Sequence, residues 1–192
     1  MEHWFSTVLP QQHDHARQSV VAGLVCFAFF FLLALSLQYR GLAAPMYYDS
    51  LVWIENKRRL FVSGPLWSVI NIFPQRPLTM LTFYGNYLIG DMNPVFFRLA
   101  NLALLSAAAV VVGFVVNALV SLVHRGRSGM IGLLAGVFFL VHPFQTYVTL
   151  YIWQRSALLA CLFYYAALLS YLGIRRGSFR SPVLGYVLCA SL

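Results

Sequence analysis

Charge is what this 192-residue sequence has least of: 9% of its residues are Asp, Glu, Lys or Arg, and only five are acids. Soluble domains average about 25% charged residues. With 60% apolar residues, the chain lacks the polar surface to cover its own core in water, so lipid has to cover it. Cysteine is also scarce. Cys26, Cys161 and Cys189 all lie inside apolar runs, without metal-ligand spacing or a disulfide framework, and read as small buried hydrophobes. A glycine-rich phosphate loop, a Ser-His-Asp order, a CxxC pair and an HExxH segment are all missing, which removes the familiar soluble-enzyme chemistries. The net charge of +8 does not point to nucleic acid. The basic residues sit in short clusters between apolar runs, as in membrane proteins, rather than on one basic face.

The apolar runs predict an all-α, polytopic membrane protein with four to five transmembrane helices. Residues 1–18 are polar and read as a cytoplasmic tail; His3, His13 and His15 around Asp14 lack the second ligand cluster that a metal site needs. Ser19–Leu37 is an uncharged run of 19 residues, just long enough at about 1.5 Å per residue to cross a bilayer core. With no small-x-small cleavage site directly after it, the run reads as a retained signal anchor. Val95–Val123 predicts a second span, with Arg98 one turn inside and snorkelling to the interface. Proline at His142-Pro143 divides the next apolar stretch. The expectation is a short third helix over Met130–Val141, a turn at His142–Thr146 and a fourth helix over Tyr147–Leu172. A fifth apolar run, Val183–Leu192, reaches only half a crossing length, so the last helix reads as incomplete.

Between the first two spans, residues 38–94 hold three of the five acids and five basic residues. Five prolines, Pro45 to Pro94, break this loop into short pieces. Its many apolar and aromatic residues predict short helices along the membrane interface, or a small folded cap on the helix ends. The basic turns at Arg125/Arg127 and Arg175/Arg176/Arg180 predict a cytoplasmic amino terminus and an outward-facing, extracytoplasmic loop in the inner or plasma membrane.

Three stretches, in order, resemble one family. They are Tyr47-Tyr48-Asp49-Ser50-Leu51-Val52-Trp53-Ile54-Glu55-Asn56; Arg76-Pro77-Leu78-Thr79 followed by Phe83, Asn86-Tyr87, Asn93-Pro94, Leu99 and Asn101-Leu102; and His142-Pro143-Phe144-Gln145-Thr146 with Tyr151-Ile152, Gln154-Arg155, Leu158, Leu159 and Tyr171. Together they resemble the amino-terminal half of the transmembrane and tetratricopeptide-repeat proteins, GT-C class membrane glycosyltransferases. The resemblance covers roughly Ala44 to Gly173. It implies transfer of a sugar from a polyprenyl-phosphate donor to a hydroxyl of a protein or glycan. It also implies an acid in the first extracytoplasmic loop, here Asp49, acting as general base or metal ligand. The family usually has a second acid beside it, and this chain has Ser50 instead, which weakens the expectation of a divalent metal.

Chemistry alone offers two roles for Asp49: a proton acceptor partly buried among Tyr47, Tyr48 and Trp53, or a helix N-cap. Lys57, Arg58 and Arg59 fit the phosphate of a lipid carrier, or ordinary acidic lipids; Glu55 is expected to pair with them. Arg76 and Arg155 are sharper candidates for gripping the lipid-linked phosphate, since an ionisable group at membrane depth is costly. His142, assisted by Gln145, is either an acid/base at a helix break or a buried structural histidine. Two functions remain open: a membrane glycosyltransferase module, with membrane lipids and a lipid-linked sugar as partners, or a non-catalytic relative packing as a structural subunit against other membrane proteins.

Overall fold

A computed structural model describes residues 20–123 and 129–176 with their side chains, and residues 2–19 as backbone. Every regular element among the described residues is helical. Helix α1 (Glu2–Leu42) runs back through the stretch expected as a tail, and its apolar part is Val20–Leu42. Four short pieces follow: α2 (Asp49–Trp53), a 3-10 turn at Glu55–Lys57, α3 (Arg58–Ser63) and α4 (Leu66–Ile70). Then come α5 (Pro77–Gly90), α6 (Pro94–Val123), α7 (Gly129–Val141), α8 (Pro143–Leu150), a 3-10 turn at Ile152–Gln154 and α9 (Arg155–Arg175). The histidines of residues 3–15, Arg125, Arg127, Arg180, Cys189 and the run 183–192 lie outside the residues whose side chains are described.

Three helices are long and apolar enough to cross a membrane, or four if the bent pair α7–α8 is one span. Helix α6 is the axis, packed by α1, α7 and α9. Its first turn is prepared locally: Asn93 Oδ1 accepts the Val95 N–H at 3.0 Å, and Pro94 supplies a preset φ. The α6–α7 contact is made by small residues. A Cβ on Gly132 would stand 2.5 Å from the Gly113 carbonyl oxygen, and one on Gly136 would stand 2.9 Å from that of Ala109. Backbones this close replace side-chain burial as the source of attraction where lipid is the solvent.

The third helix ends at Val141 as the proline predicts, but the turn expected at His142–Thr146 is a correction. The chain bends by 61° and resumes at once as α8. Pro143 occupies the first helical position, and His142 Nδ1 accepts the Phe144 N–H at 3.3 Å, so the proline starts a helix there. The break falls eight residues later, at Tyr151, and the last described helix starts at Arg155 rather than Tyr147. The start of α7 packs beside Gly113, whereas the end of α8 bonds to Arg98, about 22 Å away along α6. The bent pair therefore connects the two ends of the bundle.

Residues 43–93 form a folded cap whose core is shared with the ends of the spans. Ile54, Phe61, Val69, Met80 and Phe83 are buried with Phe97, Ile152 and Trp153. The ring of Trp153 stacks on Trp53 at 6.2 Å and on Phe83 at 6.0 Å, clamping the cap onto the break between α8 and α9. Each such side chain contributes roughly 1.5–3 kcal/mol when buried.

Candidate functional site

The break at Tyr151 has no local glycine or proline to cause it; its cause lies across the bundle. In an unbroken helix the carbonyls of Thr149 and Leu150 would accept from residues 153 and 154. Here Asn101 Nδ2 donates to Thr149 O at 3.1 Å and Ile152 O at 3.4 Å, and Arg98 Nε donates to Leu150 O at 2.9 Å. The freed Trp153 N–H donates to Ser50 Oγ at 3.1 Å. Ser50, which stands where the resemblance expects a second acid, is thus buried and occupied with holding the cap to the break.

Arg98 does not snorkel. It is buried, and besides Leu150 it donates to the carbonyls of Leu42 at 2.7 Å, Pro45 at 2.9 Å and Ala44. A guanidinium has five N–H groups in a fixed fork, which suits converging carbonyls. It also meets the negative ends of α1 and α8. One side chain thereby fixes where α1 stops, how the chain leads toward Asp49, and where Tyr151 begins.

Those two leads meet. Tyr151 Oη donates to Asp49 Oδ2 at 2.8 Å and accepts the Asp49 N–H at 3.3 Å. The Asp49 side chain makes no capping bond to α2; it stands at the first helical position, after Tyr48. It is exposed rather than partly buried, because the aromatic rings flank it without covering it. Tyr47 stacks on Tyr151 at 5.6 Å, Tyr48 meets both edge-on, and Tyr147 lies 5.5 Å from Tyr151. Burial, then the bond to Asp49, pushes the Tyr151 phenol up to about 12, so it stays a donor at neutral pH. Tyr48 has φ 52°, a strained region for an aromatic residue that costs on the order of 1–3 kcal/mol.

The cations separate into two groups. Arg155 is buried. Its Nε donates to Asn101 Oδ1 at 2.7 Å, Nη2 to Phe97 O at 2.7 Å, and Nη1 to Asn86 Oδ1 and Thr82 Oγ1, while its face lies 4.5 Å from the Phe83 ring. Its expected role was to grip the lipid-linked phosphate; these bonds instead tie α5, α6 and α9 together. Arg76, Lys57, Arg58 and Arg59 are exposed. Arg76 donates to Ser156 Oγ at 2.9 Å and lies over Phe73 while remaining exposed. Arg58 pairs with Asp91 at 2.9 Å. Among the described residues that is the only ion pair, so Glu55 does not serve as partner to this cluster.

His142 is exposed, not buried, and its ring caps α8. Tyr151 lies at the other end of α8, roughly 12 Å on, so His142 and the neighbouring Gln145 do not join Asp49. Nor does Asp49 have the company a divalent ion requires, which is several oxygen ligands. Among the described residues no three His, Cys, Asp or Glu side chains converge, and Ser50 Oγ faces Trp153. The residues present do not fit a metal held by this chain alone. An apolar crevice of about 200 Å³ between α1, α6 and α7, lined by Cys26, Phe30 and Gly113 among others, lies toward the opposite end of α6 from this site.

The chain has relatives among curated proteins. The chain is 36% identical over 96 residues to protein O-mannosyl-transferase TMTC3 of Mus musculus, covering 50% of this chain and 10% of that protein. It is 35% identical over 122 residues to TMTC1 of Homo sapiens, covering 61% and 13%. Against TMTC4 of Homo sapiens the identity is 38% over 106 residues, covering 51% and 14%. The chain resembles the protein O-mannosyl-transferases. It spans about a tenth of the length of the curated relatives it matches. No protein-family model matches the chain, and no solved structure does. Resemblance to these transferases therefore rests on aligned sequence alone.

Three residues that carry the geometry were not anticipated in their roles. Arg98 read as snorkelling, Ser50 as a lost acid and Tyr151 only as part of a motif. The available signal was the set of polar residues inside apolar helices, Arg98 and Asn101 in particular.

Proposed function

We propose that this chain is the membrane module of a GT-C-type glycosyltransferase that moves a sugar from a polyprenyl-phosphate carrier to a hydroxyl acceptor. The observation that carries the reading is the Asp49 carboxylate: exposed, aligned by the Tyr151 hydroxyl, and set in an aromatic frame at the foot of the cap. The similarity to O-mannosyl-transferases supports it. In the proposed step the acceptor oxygen bonds to the anomeric carbon while its proton passes to Asp49. The bond from that carbon to the phosphate oxygen breaks, and the electron pair leaves with the lipid phosphate. Arg76, with Lys57 and Arg59, would hold that phosphate; Arg58 would contribute once released from Asp91. Arg155 would act through Asn86 and Phe83 as a strut. His142 and Gln145 have no step in this scheme.

The cap would face outward and the amino terminus inward. Arg175 and Arg176 support this sidedness, because they lie at the end of the bundle away from the cap, where the positive-inside rule expects cytoplasm. The membrane would be the inner or plasma membrane. The test is transfer from a polyprenyl-phosphate-linked hexose to a hydroxyl acceptor by the full protein in lipid. Asp49→Asn should lower the rate by about 10² to 10⁴ and leave the fold intact.

A second reading is favoured by Ser50. With its hydroxyl turned to Trp153, Asp49 stands without the second acid of the family pattern. On that reading the module is a non-catalytic structural subunit of a larger membrane complex. Undiminished transfer by Asp49→Asn would favour it, and stable co-purification with other membrane proteins would then be sought.

A further inference from the structure

Tyr48 combines properties that do not belong to a packing residue. Its backbone stands at φ 52°, ψ −133°, where glycine is at ease and an aromatic residue is strained. The residue is 75% exposed, so burial does little to offset that strain. The ring stands edge-on to Tyr47 at 5.5 Å and to Tyr151 at 6.1 Å. It is therefore fixed in direction, open over most of its surface, and next in sequence to the carboxylate that Tyr151 aligns. Tyr147 and Phe144, also exposed, extend the aromatic surface from the other side.

We infer that Tyr48 is a sugar-stacking residue that selects the substrate of this site. The C–H-rich face of a pyranose is apolar while its rim carries hydroxyls. A fixed aromatic ring takes the first, and an adjacent carboxylate takes a hydroxyl of the second. Strain at an exposed residue persists when the position of that side chain matters to function. Glycine would relax this turn, and the ring is the one thing glycine would not supply. The inference rests on the reading of Asp49 as the reacting carboxylate and adds the group that holds the sugar beside it.

The test uses the full protein in lipid nanodiscs, with saturation-transfer NMR of a panel of methyl hexopyranosides, the unfolding midpoint and the kinetics of sugar transfer. Tyr48→Gly should unfold at an equal or higher temperature, weaken glycoside binding at least tenfold, and raise KM more than it lowers kcat. Tyr48→Asn, which removes the ring but keeps a small L side chain, should weaken binding and raise KM alike if the glycine variant folds poorly. Tyr48→Phe keeps the ring and should recover most of the affinity. Wild-type binding and KM in Tyr48→Gly or Tyr48→Asn would overturn the stacking role while leaving Asp49 untouched. So would a loss in Tyr48→Phe as deep as in Tyr48→Gly, or the absence of glycoside binding by the wild type. Full transfer by Asp49→Asn, with binding lost in Tyr48→Gly, would keep the stacking role and reject the carboxylate's.

Discussion

Two sets of arginines lie within a few turns of one another and do opposite work. Arg98 and Arg155, under the cap, are buried, and their N–H groups are engaged by carbonyls and amides of the chain itself. Arg76 and the Lys57–Arg59 cluster, on the cap, are exposed, with a hydroxyl or a single carboxylate as their polar partners. Depth inside an apolar helix makes a cation look functional, because burial of an unpaired charge is so costly. In this protein that cost is met from within: every buried side-chain nitrogen and oxygen among the described residues has a partner. The deep arginines build the site. On the proposed function, the exposed groups are the ones left to meet a substrate.

The comparison can be broken most severely at Arg98. Arg98→Ala takes the shared donor from the carbonyls of Leu42, Ala44, Pro45 and Leu150, the first in a buried bond and the others in part-buried ones. It should cost at least about 3 kcal/mol, since each unsatisfied buried acceptor costs about 1–3 kcal/mol. An unfolding titration of the purified protein in graded SDS reads this directly, and Arg98→Lys should recover only part of it. Arg76→Ala should give the reverse pattern. The loss of one bond to Ser156 barely moves the unfolding midpoint, while KM for the lipid-linked donor rises about tenfold, the equivalent of about 1.4 kcal/mol. A KM equal to wild type would remove Arg76 from the phosphate site. The smallest effect belongs to Arg58→Ala, because both partners of the Arg58–Asp91 pair are more than half exposed. The same titration should show a change below about 1 kcal/mol.

What could be read from the sequence follows from which interactions are local. The apolar runs marked α1 and α6 because each helix satisfies its own backbone, and Pro143 marked the end of α7 at Val141. Asp49 stood out as an acid in an aromatic setting. The second break, at Tyr151, was invisible because its causes are Arg98 and Asn101, some fifty residues away, and Ser50, 103 residues from Trp153. No local pattern encodes that. For the same reason the partner of Asp49 was missed although Tyr151 lay in a quoted motif: the two are 102 residues apart. The loop of residues 38–94 read as short interfacial helices or a small folded cap, and the sequence did not show what closes its core. Its core closes only when Phe97, Ile152 and Trp153 are added from the spans.

The central claim is that chemistry belongs to the exposed carboxylate and architecture to the buried cations. Its most direct test measures sugar transfer and the unfolding midpoint on one preparation of Asp49→Asn. The account predicts transfer reduced by about 10² or more at a midpoint close to wild type, because an exposed side chain with one tyrosine partner supports little of the fold. Wild-type transfer at an unchanged midpoint would contradict it and leave this module a scaffold.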